Sequence, residues 1–323
     1  MAAVGALSYV DLDLSLYLSF TLPMFVKVGD CWVKEYGFGK GSTLCSDGIV
    51  RCYGEGCSEA FLTYLAGLWI DKDRALELVG GRAREVVEDV VSRFYCLGVP
   101  ASPWDLFEVL TAAFLSRRTD YHTNTVRWVK RLLSYLSLEQ SPTLEDLIAY
   151  SRKVYEEFRS YQLLQYYEVV GELYTFSSVA RALGDPERVR IDLVKIRYVG
   201  PKVADSFILH VGLDSSKAPI DVHYLRFLKR WGLLREDLTT PVKSYCSRYS
   251  CRECPLSPRC VASYTSALFK KLNGFVQSVA YVAGKLGISR CEEVERVRRV
   301  LIRTLAYGRY PLDLEPRYLV SPK

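Results

Sequence analysis

The spacing of hydrophobic and polar positions changes about one fifth of the way along the chain. In the first part, short apolar and aromatic runs alternate with turn signals such as Val28-Gly29-Asp30, which is typical of antiparallel strands. This pattern predicts a small sheet between Leu14 and about Cys52. Beyond Ser58 the apolar residues recur at helical intervals, as in the segment from Phe61 to Leu68, and most of the remaining chain is predicted to be helical.

The predicted helices share an apolar face built from residues three and four positions apart. They cover Ala83 to Leu97, Trp104 to Leu115, Thr123 to Leu136, Leu144 to Leu173 with interruptions, Ser177 to Leu183, Asp192 to Tyr198, Pro201 to Val211, Val222 to Trp231, Tyr264 to Leu286 and Cys291 to Ala306. The sequence therefore predicts a mainly α fold, α+β overall, with a small N-terminal antiparallel sheet. We expect an N-terminal domain at 1–98 and a helical region at 99–323.

Composition and charge narrow the class of protein. With 323 residues, of which 49% are hydrophobic, the chain can bury a substantial core. The net charge of +6 favours a polyanionic partner. The segment at Met1 lacks a basic leader, and acidic residues precede the interrupted apolar stretch from Leu14 to Phe25. We therefore expect a prokaryotic intracellular protein, cytoplasmic or nucleoid-associated, without membrane insertion.

The segment at 190–212 predicts two helices joined by a tight turn, a helix-hairpin-helix. The turn contains Val199 and Gly200, and Pro201 begins the second helix. Unpaired N–H groups at such a helix start bind phosphate without side-chain specificity, so these three residues are predicted to contact a DNA backbone. Lys202 lies in the first helical turn, where the positive helix end disfavours an ammonium and favours a nucleophilic neutral amine. The alternative is an ordinary surface lysine.

A second helix start follows shortly after the hairpin. Asp221 precedes the apolar and basic segment from Val222 to Trp231, and it is a candidate N-cap. As an ordinary cap it would contribute about 1 kcal/mol to stability. The combination of a lysine hairpin with this aspartate favours a shared chemical role.

The segments Val199-Gly-Pro-Lys-Val-Ala-Asp205 and Asp221-Val-His223 resemble the helix-hairpin-helix DNA glycosylases, most closely the 8-oxoguanine DNA glycosylase/lyase branch. The resemblance implies that Lys202 displaces the base at C1′ to form a Schiff base, after which β-elimination cleaves the strand. It also implies that Asp221 stabilises the cationic sugar. The chain departs from the family at Arg197-Tyr198, where proline and glycine usually open the hairpin.

A base pocket is indicated by Gln277 and Tyr281, which lie four residues apart on one helical face. Core packing is the alternative for this pair. In the 8-oxoguanine branch, Gln and Phe at this spacing read the purine edge and stack on its face. The resemblance also places Ser206 against the opposite face of the base, His223 near the phosphate of the lesion, and Tyr161 as an aromatic wedge in the gap.

Two segments depart from the 8-oxoguanine branch. Residues 22–27 lack the glycine whose carbonyl senses the lesion, and residues 115–122 replace an asparagine-rich turn with a sequence similar to archaeal mismatch and endonuclease III-like members. Within the second segment, Arg117, Arg118 and His122 are predicted to contact the opposite strand or its unpaired base. A solvated basic helix start is the alternative.

Four of the ten cysteines, Cys246, Cys251, Cys254 and Cys260, fall within fifteen residues, and four thiolates suit either an iron–sulfur cluster or zinc. The loop resembles the [4Fe–4S] loop of endonuclease III relatives, which favours that cluster, with zinc as the alternative and disulfides third. The first spacing is four residues instead of six, and the loop precedes the Gln277 helix, so a structural role is expected. No role is predicted for the remaining cysteines, Cys31, Cys45, Cys52, Cys57, Cys96 and Cys291.

Together, these features predict a monomeric base-excision-repair glycosylase with lyase activity on double-stranded DNA containing a damaged base. One alternative is a glycosylase for oxidised pyrimidines or mismatched bases, favoured by the Arg117-Arg118-Thr119 segment. The other is a DNA-damage binding protein whose hairpin holds phosphate without catalysis.

Overall fold

The computed structural model describes residues 4–6, 9–139, 142–180, 182 and 184–306. Leu183, at the end of one predicted helix, and residues 307–323 of the predicted helical region lie outside this range. Within it, helices dominate, and a small antiparallel sheet forms near the N-terminus, which confirms the predicted fold class.

The strands of the sheet are β1 Val4–Ala6, β2 Phe25–Val28, β3 Cys31–Lys34, β4 Thr43–Ser46 and β5 Val50–Tyr53. Within the described residues they pair in the order β1-β5-β4-β3-β2, and every neighbouring pair is antiparallel. Trp32, Leu44 and Cys52 are buried on one face and join the core. A disulfide links Cys31 to Cys45 on the paired strands β3 and β4, and another links Cys52 to Cys57.

Most of the remaining described chain forms α-helices. They are α1 Leu12–Leu18, α2 Glu59–Leu65, α3 Lys72–Leu76, α4 Gly81–Arg93, α5 Leu106–Leu115, α6 Val126–Leu136, α7 Leu144–Phe158, α8 Tyr161–Ala180, α9 Pro186–Lys195, α10 Pro201–His210, α11 Val222–Arg230, α12 Lys243–Cys246, α13 Val261–Phe269, α14 Asn273–Leu286 and α15 Val294–Ala306. A π-helical turn, Tyr121–Thr125, precedes α6.

The prediction of strand structure from Leu14 onward is wrong for the first part of that segment. Leu12–Leu18 forms α1, with the Asp11 side chain accepting a hydrogen bond from the Leu14 amide at 2.9 Å. Every residue of α1 is buried, so its alternation of leucine with polar residues does not mark an exposed and a buried face. The capping aspartate overrides a pattern that is typical of a half-buried strand.

Several predicted helix boundaries also differ from the structure, among them that of α9, which begins at Pro186 instead of Asp192. The helix α8 runs without interruption from Tyr161 to Ala180, across the break predicted near residue 177. Conversely, the single helix predicted from Tyr264 to Leu286 is divided into α13 and α14 at Lys270, which has φ +52°. A non-glycine residue rarely adopts this left-handed conformation, and it ends the first of the two helices.

The helices that carry the predicted site residues are embedded in the core. All residues of α5 from Val109 to Leu115, of α10 from Val203 to His210, and of α14 from Asn273 to Ala280 are buried. A helix that is buried on all sides has little freedom to shift, because close-packed interiors transmit strain to every neighbour. Side chains at the ends of these helices are therefore held by a rigid scaffold. Across the described residues, none of the helices has the length and apolarity needed to cross a bilayer.

Contacts between distant parts of the chain connect the N-terminal region to the last described helix. A disulfide joins Cys96 to Cys291, 195 residues away. Arg298 on α15 pairs with Asp11 at 2.9 Å and with Asp13 at 3.4 Å. The end of the described chain is thus fixed covalently to the segment after α4 and electrostatically to the first turn of α1.

We expect that replacing both Cys96 and Cys291 with serine lowers the free energy of unfolding by about 2–5 kcal/mol, because this disulfide closes a very long loop. Thermal melting of the oxidised protein measures the loss. The matched control replaces Cys52 and Cys57, whose disulfide spans only 5 residues, and should cost less. Equal melting temperatures for the Cys96/Cys291 variant and the wild type would contradict the expectation.

Candidate active site at two helix N-termini

The predicted hairpin is formed by α9, the turn Ile196–Gly200 and α10. Gly200 is the N-cap of α10 and provides no side-chain cap, and Pro201 is the first helical residue. Among the described residues, neither the Gly200 nor the Lys202 amide has a hydrogen-bond acceptor. Two N–H groups at the positive end of α10 are therefore available to an anion.

Lys202 lies on the surface at the start of α10, and the eight residues that follow it are buried. In the described part of the chain its amine has no hydrogen bond or ion pair. The backbone of Lys202 is therefore held by the core, while its amine can reach a ligand.

Asp221 is the N-cap of α11, as predicted from the sequence. One carboxylate oxygen accepts a hydrogen bond from the Tyr224 amide at 2.8 Å. The other accepts one from the side-chain amide of Gln277 at 3.2 Å. Capping thus uses only one oxygen, and the second faces the helix α14, which carries the predicted base-reading residues.

His223 lies in the first turn of α11, two residues after the Asp221 cap. Burial lowers the pKa of its ring, and the charge of Asp221 opposes this shift. Its Nδ1 atom is buried and has no hydrogen-bond partner within the described residues. Gly284 makes room for this ring, because a Cβ atom there would lie 2.2 Å from Nδ1.

The predicted base-reading pair lies beside Asp221 and His223. Gln277 is 5% exposed and, as described, donates to Asp221. The Tyr281 ring meets the His223 ring edge to face, with 5.5 Å between centroids. Burial raises the pKa of Tyr281 well above its ordinary value, which keeps its hydroxyl protonated. The structure therefore brings an amide, two rings and a carboxylate together between α11 and α14.

Tyr17 on α1 also contacts this group, although the sequence analysis did not identify it. Its ring lies 6.4 Å from that of Tyr281, and it stacks on His122 at 3.8 Å. Tyr17 is 4% exposed. The sequence pattern did not indicate that Tyr17 contacts this group, because the segment was predicted to be a strand. Its contacts are also with residues far along the chain.

The position of His122 differs from the prediction that it contacts DNA. Its side chain is 2% exposed, and Nε2 donates to the Tyr17 carbonyl at 2.8 Å. Burial lowers its pKa to about 4, so the ring is neutral at ordinary pH. In this conformation His122 supports the aromatic group from inside and does not face solvent.

Of the remaining residues predicted to contact DNA or the base, some lie on the surface and others in the core. Arg118 is exposed, and Tyr161 is 51% exposed at the first turn of α8. Ser206 is 2% exposed on α10. Arg117, in contrast with Arg118, is turned into the protein and donates to the Tyr198 carbonyl at 2.7 Å.

The four clustered cysteines are free, whereas the other six form disulfides. Cys246 and Cys260 are buried, and Cys251 and Cys254 are half-buried. Within the described residues, no three His, Cys, Asp or Glu side chains converge as a preformed metal-binding group. Burial raises the pKa of Cys251 to about 11, so its thiol is neutral when no metal is bound.

Buried cations lie next to these thiols. The Lys217 amine is 3.8 Å from the Cys251 sulfur and pairs with Glu187. Arg190, which is 1% exposed, acts on both Cys246 and Cys251. These charges favour thiolates, as metal binding requires. The donor set and its surroundings therefore fit a thiolate-bound metal, although the thiols do not converge in the described arrangement.

Comparison with solved structures gives the fold. The structure of MBOgg1 in complex with low affinity DNA ligand matches with a TM-score of 0.62 and 14% identity, over 88% of this chain and 96% of that one. The Clostridium acetobutylicum 8-oxoguanine glycosylase/lyase in complex with dsDNA containing cytosine opposite 8-oxoG matches with a TM-score of 0.61 and 14% identity, over 89% and 99%.

A third structure, 3-methyladenine DNA-glycosylase from Archaeoglobus fulgidus, matches with a TM-score of 0.54 and 13% identity, over 83% of this chain and 97% of that one. No family model matches the chain, and no curated protein matches its sequence. The chain therefore has the helix-hairpin-helix DNA glycosylase fold.

Proposed function

We propose that this chain is a base-excision-repair DNA glycosylase with abasic-site lyase activity, and that it removes 8-oxoguanine from duplex DNA. The observation that carries the proposal is the pairing of two helix starts. Lys202 is exposed at the start of α10 and has no partner in the described chain, and Asp221 at the start of α11 uses only one carboxylate oxygen for its capping bond. These two residues would supply the nucleophile and the carboxylate to one bound nucleotide.

The proposed reaction begins when the amides of Gly200 and Lys202 bind a phosphate of the lesion strand. The Lys202 amine attacks C1′ of the everted nucleotide, the base leaves with the electrons of the glycosidic bond, and the proton lost from the amine nitrogen passes to the base. The nitrogen lone pair then breaks the C1′–O4′ bond, O4′ takes up a proton from water, and an iminium remains. Asp221 stabilises the positive charge that develops on the sugar. Loss of a proton from C2′ of the resulting iminium then expels the 3′ phosphate by β-elimination.

Base selection would depend on the residues of α14. The Gln277 amide can both donate and accept hydrogen bonds, so it can pair with a purine edge. The Tyr281 ring would stack on the base. In the DNA-free structure the Gln277 amide donates to Asp221 at 3.2 Å, and an entering base would compete for that donor. Recognition of the base and the environment of the catalytic carboxylate are therefore linked.

We also propose that Cys246, Cys251, Cys254 and Cys260 hold a [4Fe–4S] cluster, with zinc as the alternative. All four are free cysteines in a chain whose other cysteines form disulfides, and two buried cations accompany them. The cluster would crosslink the loop that packs against the hairpin, a structural contribution. An intracellular location is compatible with these disulfides in a hyperthermophile, where intracellular proteins can be rich in them.

The lysine mechanism predicts covalent trapping. With borohydride present during turnover, the wild type should crosslink to lesion-containing DNA, because a Schiff base is reducible. Lys202→Gln should abolish the crosslink and retain lesion binding, as measured by denaturing gel and by fluorescence anisotropy. Base excision by the wild type without any crosslink would disprove the lysine mechanism.

The variant Asp221→Asn distinguishes the helix-capping role of Asp221 from the effect of its negative charge on the reaction. An amide caps a helix as well as a carboxylate does, but it cannot stabilise a cationic sugar. We expect an unchanged melting temperature and a loss of excision by at least about a hundredfold, since one charge-stabilising group is typically worth that much. A large fall in stability with activity retained would show instead that Asp221 is only a cap.

The substrate assignment is tested by Gln277→Ala and Tyr281→Ala. Each should slow 8-oxoguanine excision by at least about tenfold, since the loss of one buried contact costs about 1–3 kcal/mol. Cleavage at an abasic site, which offers no base to hold, should fall much less. Equal losses on both substrates would mean that these residues support only the fold. Faster wild-type excision of an oxidised pyrimidine would favour the alternative substrate class.

The metal proposal predicts a brown protein with a visible charge-transfer band and about four irons per chain. Cys254→Ser should reduce the iron content together with folding stability or DNA affinity. Elemental analysis of the purified protein decides the identity of the metal. A colourless protein with one zinc per chain would replace the cluster with the alternative, and a metal-free protein would refute both.

A further inference from the structure

The hairpin turn contains a residue in an unfavourable backbone conformation. Tyr198 lies in the left-handed region with φ +65°, where a residue with a side chain is uncommon and glycine is favoured. Such a conformation persists only where the surrounding structure enforces it. Because Gly200 and Lys202 lie only two and four residues further along the chain, the direction of their amides depends on this turn.

Contacts from outside the hairpin hold Tyr198. Its carbonyl accepts a hydrogen bond from Arg117 Nη1 at 2.7 Å. Its hydroxyl donates to Glu168 at 2.6 Å, and the same carboxylate pairs with Arg197 at 3.4 Å. The left-handed turn is thus fixed on its backbone by one residue and on its side chain by another.

All three guanidinium nitrogens of Arg117 donate hydrogen bonds to other groups of the protein. Besides the Tyr198 contact, Nε donates to the Phe114 carbonyl at 2.7 Å, and Nη2 donates to Gln165 at 3.0 Å. The guanidinium also lies 3.8 Å from the centre of the Phe114 ring. These contacts leave Arg117 poorly placed to read a base, unlike the exposed Arg118 beside it.

The partners of Arg117 connect the hairpin to the start of α8. Gln165 and Glu168 both belong to α8, whose first residue is the exposed Tyr161. Gln162, also on α8, donates through Nε2 to the Arg117 carbonyl at 3.1 Å. One arginine therefore bridges the turn before Lys202 and the helix that presents Tyr161.

We propose that Arg117 is a positioning residue, which holds the left-handed turn at Tyr198 in register with α8, so that the hairpin amides and Tyr161 keep a fixed separation on bound DNA. This role replaces the direct DNA contact predicted for Arg117. Its consequence for DNA rests on the proposed function, but the holding of the turn does not.

Hydrogen exchange of the DNA-free full-length protein tests the holding of the turn directly. Arg117→Met should speed exchange of the Val199 and Val203 amides, which donate to the Ile196 and Gly200 carbonyls, by about tenfold or more, because loss of the brace opens the turn locally. Arg118→Met removes the same charge from the neighbouring exposed position and should leave these amides unchanged. Unchanged exchange in Arg117→Met, or equal acceleration in both variants, overturns the proposal.

Arg117→Lys provides a second variant should Arg117→Met fail to fold. It keeps the charge but cannot make the three-way hydrogen bonding of the guanidinium fork. We expect it to speed exchange at the same two amides, with little change in the melting temperature. Wild-type exchange in this variant would show that charge alone suffices, contrary to the proposal.

A double-mutant cycle links the turn to DNA binding. The probe is a duplex containing a tetrahydrofuran abasic-site analogue. Arg117→Met should weaken its binding about tenfold in the native background, and clearly less in the Tyr198→Gly background, because glycine adopts the left-handed conformation without a brace. Additive effects would show that Arg117 does not act through the turn. If the wild type fails to bind this duplex, the proposed function fails, while hydrogen exchange still decides the role of Arg117.

Discussion

The buried ion pair between Arg190 and Asp205 determines how the two hairpin helices pack. Arg190 on α9 donates to both carboxylate oxygens of Asp205 on α10, at 2.6 and 3.2 Å, and both side chains are almost fully buried. Removing one partner of such a pair strands a buried charge, at a typical cost of about 3–5 kcal/mol. Because Asp205 lies one turn after Lys202, this ion pair also fixes where the lysine leaves the protein surface.

The same ion pair connects the hairpin to the cysteine loop. Arg190 acts on Cys246, and Glu187 of α9 accepts a hydrogen bond from the Cys251 amide at 3.1 Å. Lys217, which follows α10, pairs with Glu187 and lies near the Cys251 sulfur. The hairpin and the cysteine loop therefore form one packed unit, and a change that loosens the loop would be felt at the helix that carries Lys202.

Local patterns in the sequence predicted those parts of the site that depend on neighbouring residues. The hairpin, the Asp221 cap and the shared face of Gln277 and Tyr281 each follow from spacing along one or two helices. Tyr17 was not predicted as a site residue because it joins the site through contact with the Tyr281 ring, which lies on a helix far along the chain. Local spacing cannot report which distant elements meet, since tertiary packing decides it.

For Arg117, the local sequence indicated a contact that the structure does not show. Its basic neighbourhood, beside Arg118, indicated a DNA contact, but its partner is the Tyr198 carbonyl, 81 residues away in sequence. The departure from the family at Arg197-Tyr198 was visible in the sequence. The contact that compensates for this departure was not visible in the sequence. It joins the left-handed backbone of Tyr198 to the Arg117 side chain, which comes from the turn after α5.

The N-termini of α10 and α11 contribute positive electrostatic potential to the proposed site. Lys202 lies at the N-terminus of α10 and Asp221 caps the N-terminus of α11, and such positive helix ends stabilise anions and oppose cations. A cationic sugar there requires negative charge nearby. In the proposed reaction, Asp221 would supply part of it, and the phosphate bound by the hairpin amides would supply more. Binding of the DNA backbone and stabilisation of the reacting sugar would then be coupled, because the bound phosphate would also offset the positive field of the helix that carries Lys202.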